Sequence, residues 1–173
     1  ASDVYKRQAG MSFVDFAHLK ERNIKNGILD YNRQKTGTPM RLEILDTAEL
    51  MRKELMGDKK PASGYLFPFL SGTKTGYEAY LEYNAALSRF NRNLKALKKA
   101  AGIASDVTSY TIRHSFAMAL KEQNVPIEMI SELLGHKSIK TTQIYLRSFS
   151  LEKMTEVNST CFGCVYNYVS KVG

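Results

Sequence analysis

The most informative stretch of the chain is residues 109–146, which read SYTIRHSFAMALKEQNVPIEMISELLGHKSIKTTQIYL. Apolar residues at helical spacing predict a first helix over residues 108–123. Pro126 suits the first turn of a second helix, and Gly135 stops that helix where a left-handed C-cap is preferred. Ser138 can cap a third helix. This stretch therefore predicts three short helices in succession.

The remaining elements are shorter and belong to both helix and strand classes. Before the basic helix they are a helix start over 12–19, an Asn-Gly interruption of regular structure at 26–27, two short strands around the Lys-Thr-Gly turn at 35–37, and a short helix over 47–56. A loop over 57–64 and a short buried extended segment over 65–70 follow, and a final amphipathic helix begins at 151. Together they predict a mainly α fold with a small antiparallel β-hairpin, of the α+β class.

Composition narrows the function classes. The 173 residues are 43% hydrophobic, which is enough for one sizeable core. The 25 basic and 17 acidic side chains give a net charge of +8, which favours a polyanionic partner such as nucleic acid. No apolar run is long enough to span a bilayer. With 2 Cys and 11 Gly the chain is neither a disulfide scaffold nor collagen-like. These features predict a soluble, reduced, intracellular domain.

The excess charge is concentrated in one predicted helix. Residues 61–105 hold six basic and two acidic side chains. The apolar positions of this helix define a buried stripe: Leu87, Phe90, Leu94, Leu97 and Ala101. Most of the basic side chains fall off that stripe: Arg89, Arg92, Lys95, Lys98 and Lys99. The basic face could lie along a phosphate backbone, or it could be a solvated face that confers solubility.

Four residues share a chemical logic that suits a phosphodiester. Arg113 offers a planar, permanently charged fork of donors to the phosphate oxygens. The imidazole of His136 can hydrogen-bond the phosphate or move a proton. Tyr145 needs such a cationic site before its hydroxyl can attack, and Lys35 on a hairpin can protonate a leaving oxygen. Together these groups could cut DNA without a metal ion.

The order of these motifs resembles the signature of tyrosine recombinases, the phage-integrase family. The resemblance rests on Arg113, then Leu-Gly-His at 134–136, then Thr-Thr-x-x-Tyr at 141–145. GMSFVDFA at 10–17, RQKTG at 33–37 and YLFPFL at 65–70 are similar to integrases of Bacteroides-type mobile elements. The resemblance covers nearly all of residues 10–173 and implies site-specific DNA recombination, which integrates or excises a mobile element.

The resemblance also implies a role for each site residue. Tyr145 would form a 3′-phosphotyrosine, Arg113 would be the second arginine of the phosphate clamp, and His136 would hydrogen-bond the scissile phosphate. Lys35 would be the general acid toward the 5′-oxygen. Tyr110 stands where the family usually has histidine, so we expect a supporting role for it. The DNA-contacting set would be Arg89, Arg92, Lys95, Lys99 and His114. Because bond energy is kept in the phosphotyrosine, no cofactor is implied.

The amino-terminal end departs from the family pattern. The first clamp arginine should immediately precede Gly10, where this chain has Ala9, and Arg7 would point to the opposite face of a helix. Residues 1–8 resemble a non-native tail, which leaves 9–173 as a catalytic domain without its first helix and amino-terminal clamp domain. Losing one clamp arginine could slow the reaction about a hundredfold or more, so we expect this chain to be impaired.

Two alternatives remain open at this point. The helices around Gly135 resemble a helix-turn-helix, so the chain could bind DNA without chemistry. A type IB topoisomerase-like relaxing activity would use similar residues. The family resemblance implies double-stranded DNA and a homo-oligomer, a tetramer in the synapse, as partners, and a bacterial cytoplasmic location at the nucleoid. Cys161 and Cys164 form C-x-x-C without a second ligand pair, so we expect no metal site.

Overall fold

The structure is a computed structural model, and it describes residues 10–44 and 64–146. The described elements, in chain order, are α1 (Phe13–Ala17), a 3₁₀ turn (Glu21–Asn23), β1 (Ile24–Lys25), β2 (Ile28–Asn32), β3 (Pro39–Glu43), α2 (Gly76–Ala100), α3 (Ser109–Glu122), α4 (Ile127–Leu133) and α5 (Ile139–Tyr145). This mainly helical chain with a small antiparallel sheet confirms the predicted fold class.

The sheet has one strand more than the sequence predicted. Its order is β1-β2-β3, and both neighbouring pairs are antiparallel. Asn26 and Gly27 form the first turn with φ of 52° and 75°, a left-handed conformation that Asn and Gly tolerate. The Asn-Gly interruption predicted at 26–27 is therefore the turn of a hairpin between β1 and β2. Leu29 and Tyr31 alternate toward the core, as one face of a half-buried strand requires.

The long helix α2 carries the basic face, but its buried stripe is shorter than predicted. Leu94 is 4% exposed, whereas Leu97 is 52% exposed and Ala101 lies just beyond the helix end. At 1.5 Å per residue, a helix of 25 residues is about 37 Å long, and its last turn extends past the core. The prediction that Leu97 and Ala101 belong to the core stripe was wrong for this reason.

Residues 65–70 are buried in part but are not an extended strand. Tyr65 makes an isolated antiparallel bridge to Lys20, and the chain then turns. Pro68 has no backbone N–H for a strand ladder, which limits how far pairing can run. The rings of Phe67 and Phe69 instead pack against Phe16, with centroids 4.3 and 5.5 Å away. The prediction of burial holds, and that of an extended segment does not.

Helices α3, α4 and α5 follow the prediction from the sequence closely. Thr108 caps α3 by accepting a hydrogen bond from the Thr111 amide. Pro126 occupies the N-cap of α4, one position before the predicted first turn. Gly135 has φ of 61° and ends α4 as a left-handed residue. Ser138 is the N-cap of α5, although its side chain makes no capping hydrogen bond.

Two apolar clusters hold these elements together. The larger joins α1, the sheet and α2 around residues such as Phe13, Leu29 and Leu94. The smaller joins helices α3, α4 and α5 and contains Ala117, Ile130, Leu134 and Leu146. Helix α3 contributes to both clusters, since Ile112 lies in the larger one and Ala117 in the smaller.

Several predictions fall outside the described residues. They concern the tail at 1–8, Ala9, the helix over 47–56, most of the loop over 57–64, the final helix from 151, and the Cys161–Cys164 pair. Within residues 10–44 and 64–146, no helix combines the length and the apolar character needed to cross a lipid bilayer.

Candidate active site

Tyr145 is the last residue of α5 and lies among three other aromatic rings. Its ring is edge-on to His114 with centroids 4.9 Å apart, and to Tyr110 and His136 at 5.9 and 6.1 Å. Lys121 fixes the backbone after it, since its ammonium donates to the Leu146 carbonyl at 2.8 Å. The structure therefore brings four of the sequence-predicted site residues into one cluster, which we call the tyrosine cluster: Tyr110, His114, His136 and Tyr145.

Two polar atoms of the tyrosine cluster are buried without a conventional hydrogen bond. They are the Tyr145 hydroxyl and His114 Nδ1, neither of which has a partner of ordinary geometry among the described residues. Burial, and then the neighbouring Tyr110, raise the pKa of Tyr145 to about 12, although Arg113 acts to lower it. A buried hydroxyl without a partner is costly, which is typical of a group kept ready for a ligand or a reaction.

Arg113 lies beside this cluster and is only 9% exposed. Its Nη1 donates to the Gly10 carbonyl at 2.7 Å, and its Nη2 donates to the Leu134 carbonyl at 2.6 Å. These bonds hold the guanidinium between the start of the described chain and the end of α4. Gly10 is also closely packed, because a Cβ there would lie 2.6 Å from a ring carbon of Phe116. The backbone at Gly10 is therefore held against α3, close to Arg113.

His136 follows the left-handed Gly135 and points its ring toward Tyr145. Its Nδ1 is 2.8 Å from Oγ1 of Thr142, a residue that is fully buried. This contact leaves Nε2 as the ring nitrogen available to a ligand. Burial, with Arg113 and Arg33 nearby, lowers the pKa of His136 from 6.5 to about 4. The imidazole is therefore neutral at pH 7.

Lys35 and the basic residues of α2 stay outside the tyrosine cluster. Lys35 lies exposed in the β2–β3 turn and makes no hydrogen bond or ion pair within the described residues. On α2 the four predicted DNA-contacting side chains are all exposed: Arg89, Arg92, Lys95 and Lys99. Lys98 differs from them, because its ammonium pairs with Asp106 at 3.1 Å. The predicted basic face is thus present and open to solvent.

The family model described as "Phage integrase family" matches residues 8–152, most of the chain. The chain belongs to the phage integrase family. Among curated relatives, tyrosine recombinase XerD of Lacticaseibacillus casei is 52% identical over 54 residues, which cover 31% of this chain and 18% of XerD. Tyrosine recombinase XerC of Rickettsia typhi is 41% identical over 75 residues, 43% of this chain and 24% of XerC. The matched parts are therefore under a quarter of those proteins.

Solved structures of integrases and recombinases share the fold. XerA recombinase superposes with a TM-score of 0.66 at 22% identity, over 90% of this chain and 55% of that chain. The Tn1549 transposon integrase, in complex with a circular intermediate DNA, gives a TM-score of 0.61 at 16% identity, over 90% of this chain and 58% of that one. This integrase-family chain thus matches little more than half the length of either structure.

The sequence analysis missed a buried ion pair beneath the site. Nε of Arg33 lies 3.3 Å from Oδ2 of Asp15, and their side chains are 8% and 1% exposed. Arg33 Nη1 also donates to the carbonyls of Leu134 and Gly135 at 2.9 and 2.8 Å. A signal was present, since Arg33 continues the inward alternation of Leu29 and Tyr31 and so carries a charge into the core.

The described residues also bear on metal binding and on other cavities. Within them, no three His, Cys, Asp or Glu side chains are grouped as metal ligands. A cavity of about 380 Å³ lies against α1 and the sheet, lined by residues that include His18, Lys20 and Tyr65. It contains none of the predicted catalytic residues. The tyrosine cluster is therefore the candidate site.

Proposed function

We propose that this chain cuts and rejoins one strand of double-stranded DNA through a covalent bond to Tyr145, in a site-specific recombination that integrates or excises a mobile element. One observation carries the proposal. In a chain of the phage integrase family, the buried Tyr145 hydroxyl lies near Tyr110 and beside the guanidinium of Arg113 and the imidazole of His136, and no described residue gives it a hydrogen bond of ordinary geometry. A mere DNA-binding module has no need for that arrangement.

In the proposed first step, the Tyr145 oxygen bonds to the scissile phosphorus and the bond from phosphorus to the 5′-oxygen breaks. The products are a 3′-phosphotyrosine and a 5′-hydroxyl. Arg113 and Nε2 of His136 hydrogen-bond the non-bridging oxygens, where charge accumulates in the transition state. The phenol proton passes to one of the two imidazoles that pack on Tyr145, that of His114 or that of His136, as the new bond forms.

The leaving 5′-oxygen needs a proton, and Lys35 is the residue proposed to supply it. Its exposed place in the β2–β3 turn leaves the ammonium free to reach DNA bound over the site. Tyr110, which is 63% exposed, supports the site by donating a hydrogen bond where the family usually has histidine. Rejoining reverses these steps on another 5′-hydroxyl. The energy of the broken bond stays in the phosphotyrosine, so the proposed cycle uses no cofactor.

The exposed basic face of α2 is the proposed contact with the DNA backbone. Four cations supply that contact: Arg89, Arg92, Lys95 and Lys99. They would add affinity without sequence preference, because phosphates are alike along the duplex. His114 would contact DNA only at the cleavage point, since its ring packs on Tyr145.

The wider assignments are proposals of the same kind. Residues 9–173 would form the catalytic domain of a longer recombinase, acting as a tetramer on DNA in the bacterial cytoplasm, at the nucleoid. Ala9 replaces the first clamp arginine, next to Gly10, whose carbonyl binds Arg113. With one clamp donor fewer, cleavage would be slower by about a hundredfold.

The direct test is formation of a covalent adduct on nicked DNA. The chain, and its Ala9→Arg variant, are incubated with a pool of labelled duplexes that carry a nick beside a randomised sequence. A denaturing gel then reports protein bound covalently to DNA. We expect an adduct that Tyr145→Phe abolishes. Tyr77→Phe is the matched control, because Tyr77 is 73% exposed on α2, and it should leave the adduct unchanged.

The other outcomes discriminate the alternatives. DNA binding without any adduct, even with Ala9→Arg, would contradict the enzyme and favour a helix-turn-helix module. An adduct accompanied by relaxation of supercoiled plasmid, with no exchange of strands between duplexes, would favour a topoisomerase-like activity over recombination.

A further inference from the structure

Arg33 joins two parts of the site that are far apart in sequence. It follows β2 at the base of the hairpin turn, and its Nη1 donates to the carbonyls of Leu134 and Gly135, 101 and 102 residues away. Those carbonyls belong to the turn that ends α4 and leads into His136. One guanidinium therefore ties the hairpin to the turn that carries the imidazole.

The other side of the Arg33 guanidinium is held by Asp15, in the middle of α1. Asp15 Oδ2 accepts from Nε of Arg33 at 3.3 Å and from the Ser12 hydroxyl at 2.5 Å, while Oδ1 accepts from the Gln34 amide at 2.7 Å. Asp15 thus contacts both Arg33 and the residue after it. These bonds set the direction of the hairpin as well as the position of the guanidinium.

The packing around Arg33 leaves almost no room for movement. A Cβ on Gly135 would lie 2.5 Å from Cδ of Arg33 and 2.6 Å from the sulfur of Met40. The hairpin backbone and the turn of α4 are therefore in close contact at this point. The Leu134 carbonyl also accepts a hydrogen bond from Arg113, so both buried arginines donate to the same carbonyl oxygen.

We propose that Arg33 is a positioning residue, which sets the β2–β3 hairpin bearing Lys35 in register with the turn bearing His136. This inference rests on the proposed function, since it assigns Arg33 a part in the same cleavage. Lys35 lies two residues after Arg33, and His136 directly follows Gly135. Arg33 itself is buried by its protein partners and does not touch the phosphate. A misplacement of about 1 Å in such a site can cost a hundredfold in rate.

The first test measures the turn directly and needs no DNA. The pKa of His136 is followed by NMR titration of the imidazole in the full chain, in Arg33→Met, in Arg33→Lys and in Arg41→Met. Arg33→Lys keeps the cation, so a rise of the His136 pKa in that variant reports opening of the turn rather than loss of charge. Arg41 is the matched control, an exposed arginine on the same hairpin. We expect the His136 pKa to rise by at least about half a unit in Arg33→Met, because a nearby cation is lost and the turn opens to water. Arg41→Met should leave it near 4.

The second test separates positioning from binding. Single-turnover adduct formation and DNA affinity are measured on the nicked duplexes for the same proteins. We expect Arg33→Met to slow adduct formation at least about tenfold while the Kd for DNA stays unchanged. Arg33→Lys keeps the charge but loses the fork that reaches two carbonyls and a carboxylate, so its rate should lie between the two. A purely structural role would not produce this split.

The outcomes distinguish this inference from the proposed function. If folded Arg33→Met keeps either the low His136 pKa or the full cleavage rate, the inference is wrong. If the unsubstituted chain forms no adduct, the proposed function fails, and the His136 pKa in Arg33→Lys, which keeps the charge but loses the fork, still decides whether Arg33 sets the turn. If Arg33→Met does not fold, Arg33→Lys takes its place, and an undiminished cleavage rate in that variant overturns the inference.

Discussion

The chain uses its arginines in two opposite ways. Arg33 and Arg113 are 7% and 9% exposed, and both donate to the Leu134 carbonyl beside the tyrosine cluster. Arg89 and Arg92 lie on the exposed face of α2. The two pairs carry the same charge, yet one is bound into the protein and the other is open to solvent.

This difference shows where specificity and affinity come from in such a molecule. Burying a guanidinium is costly unless its donors find acceptors, so the buried pair is tied to fixed geometry. The exposed pair loses little solvation and can follow any polyanion. We therefore expect substitutions in the buried pair to change stability and rate, and substitutions on α2 to change affinity and its salt dependence.

The largest effect should come from Arg113→Gln, with Arg89→Gln as its exposed counterpart. Loss of the guanidinium removes the donor that Arg113 gives to the buried Gly10 carbonyl and leaves the Leu134 carbonyl with Arg33 as its side-chain donor. Each buried acceptor left unpaired costs about 1–3 kcal/mol, so unfolding in urea should occur at clearly lower concentration. Adduct formation should fall at least about a hundredfold. Arg89→Gln should change the free energy of unfolding by less than about 0.5 kcal/mol.

Equal urea midpoints for Arg113→Gln and Arg89→Gln would show that the buried and the exposed arginines do not differ in their contribution to stability. Loss of stability without loss of cleavage rate would show instead that Arg113 is structural only.

The sequence predicted the three carboxyl-terminal helices well because their signals are local. Gly135 and Pro126 mark boundaries through their own backbone preferences, whatever surrounds them. Tyr110, His136 and Tyr145 were predicted as site residues and meet in one cluster. Whether they act as predicted stays a proposal.

The features that the sequence analysis predicted wrongly or missed depend on contacts between residues that are distant in sequence. Leu97 has core-like spacing, but the end of the core is set by other elements. The hydrogen bonds from Arg33 to the end of α4 join residues about a hundred positions apart, and no local sequence pattern predicts them. The alternation along β2 indicates that Arg33 faces inward, without indicating what it meets.

A smaller effect is expected from the exposed side, tested by Arg92→Gln and Lys98→Gln. Each phosphate contact that is lost should reduce the slope of log affinity against log salt by about 0.9, and the affinity near 0.1 M salt by less than about tenfold. Lys98 already pairs with Asp106, so Lys98→Gln is the matched control and should change the slope less. The measurement is DNA affinity at a series of salt concentrations. Equal changes in slope would indicate that the exposed face makes no specific use of Arg92.

The last prediction concerns the pH dependence that burial and the two buried arginines give to one imidazole. Burial, Arg113 and Arg33 lower the pKa of His136 from 6.5 to about 4 in the folded chain. Between these values the unfolded chain binds a proton that the folded chain does not, so stability falls as pH falls through this window. In His136→Gln that contribution is lost. The free energy of unfolding of the unsubstituted chain, minus that of the variant, should therefore decrease from pH 7 toward pH 4.

Lys95→Gln is the control for this pH dependence, because it removes a cation from the exposed face of α2. It should leave the pH dependence of stability as it is in the unsubstituted chain, since its charge lies in solvent, where water screens it. Urea unfolding at pH 7, 6, 5 and 4.5 provides the comparison for all three proteins. If the stability of His136→Gln ran parallel to that of the unsubstituted chain over this range, burial and the neighbouring arginines would not be suppressing protonation of the imidazole. The electrostatic difference between the buried and the exposed arginines would then disappear.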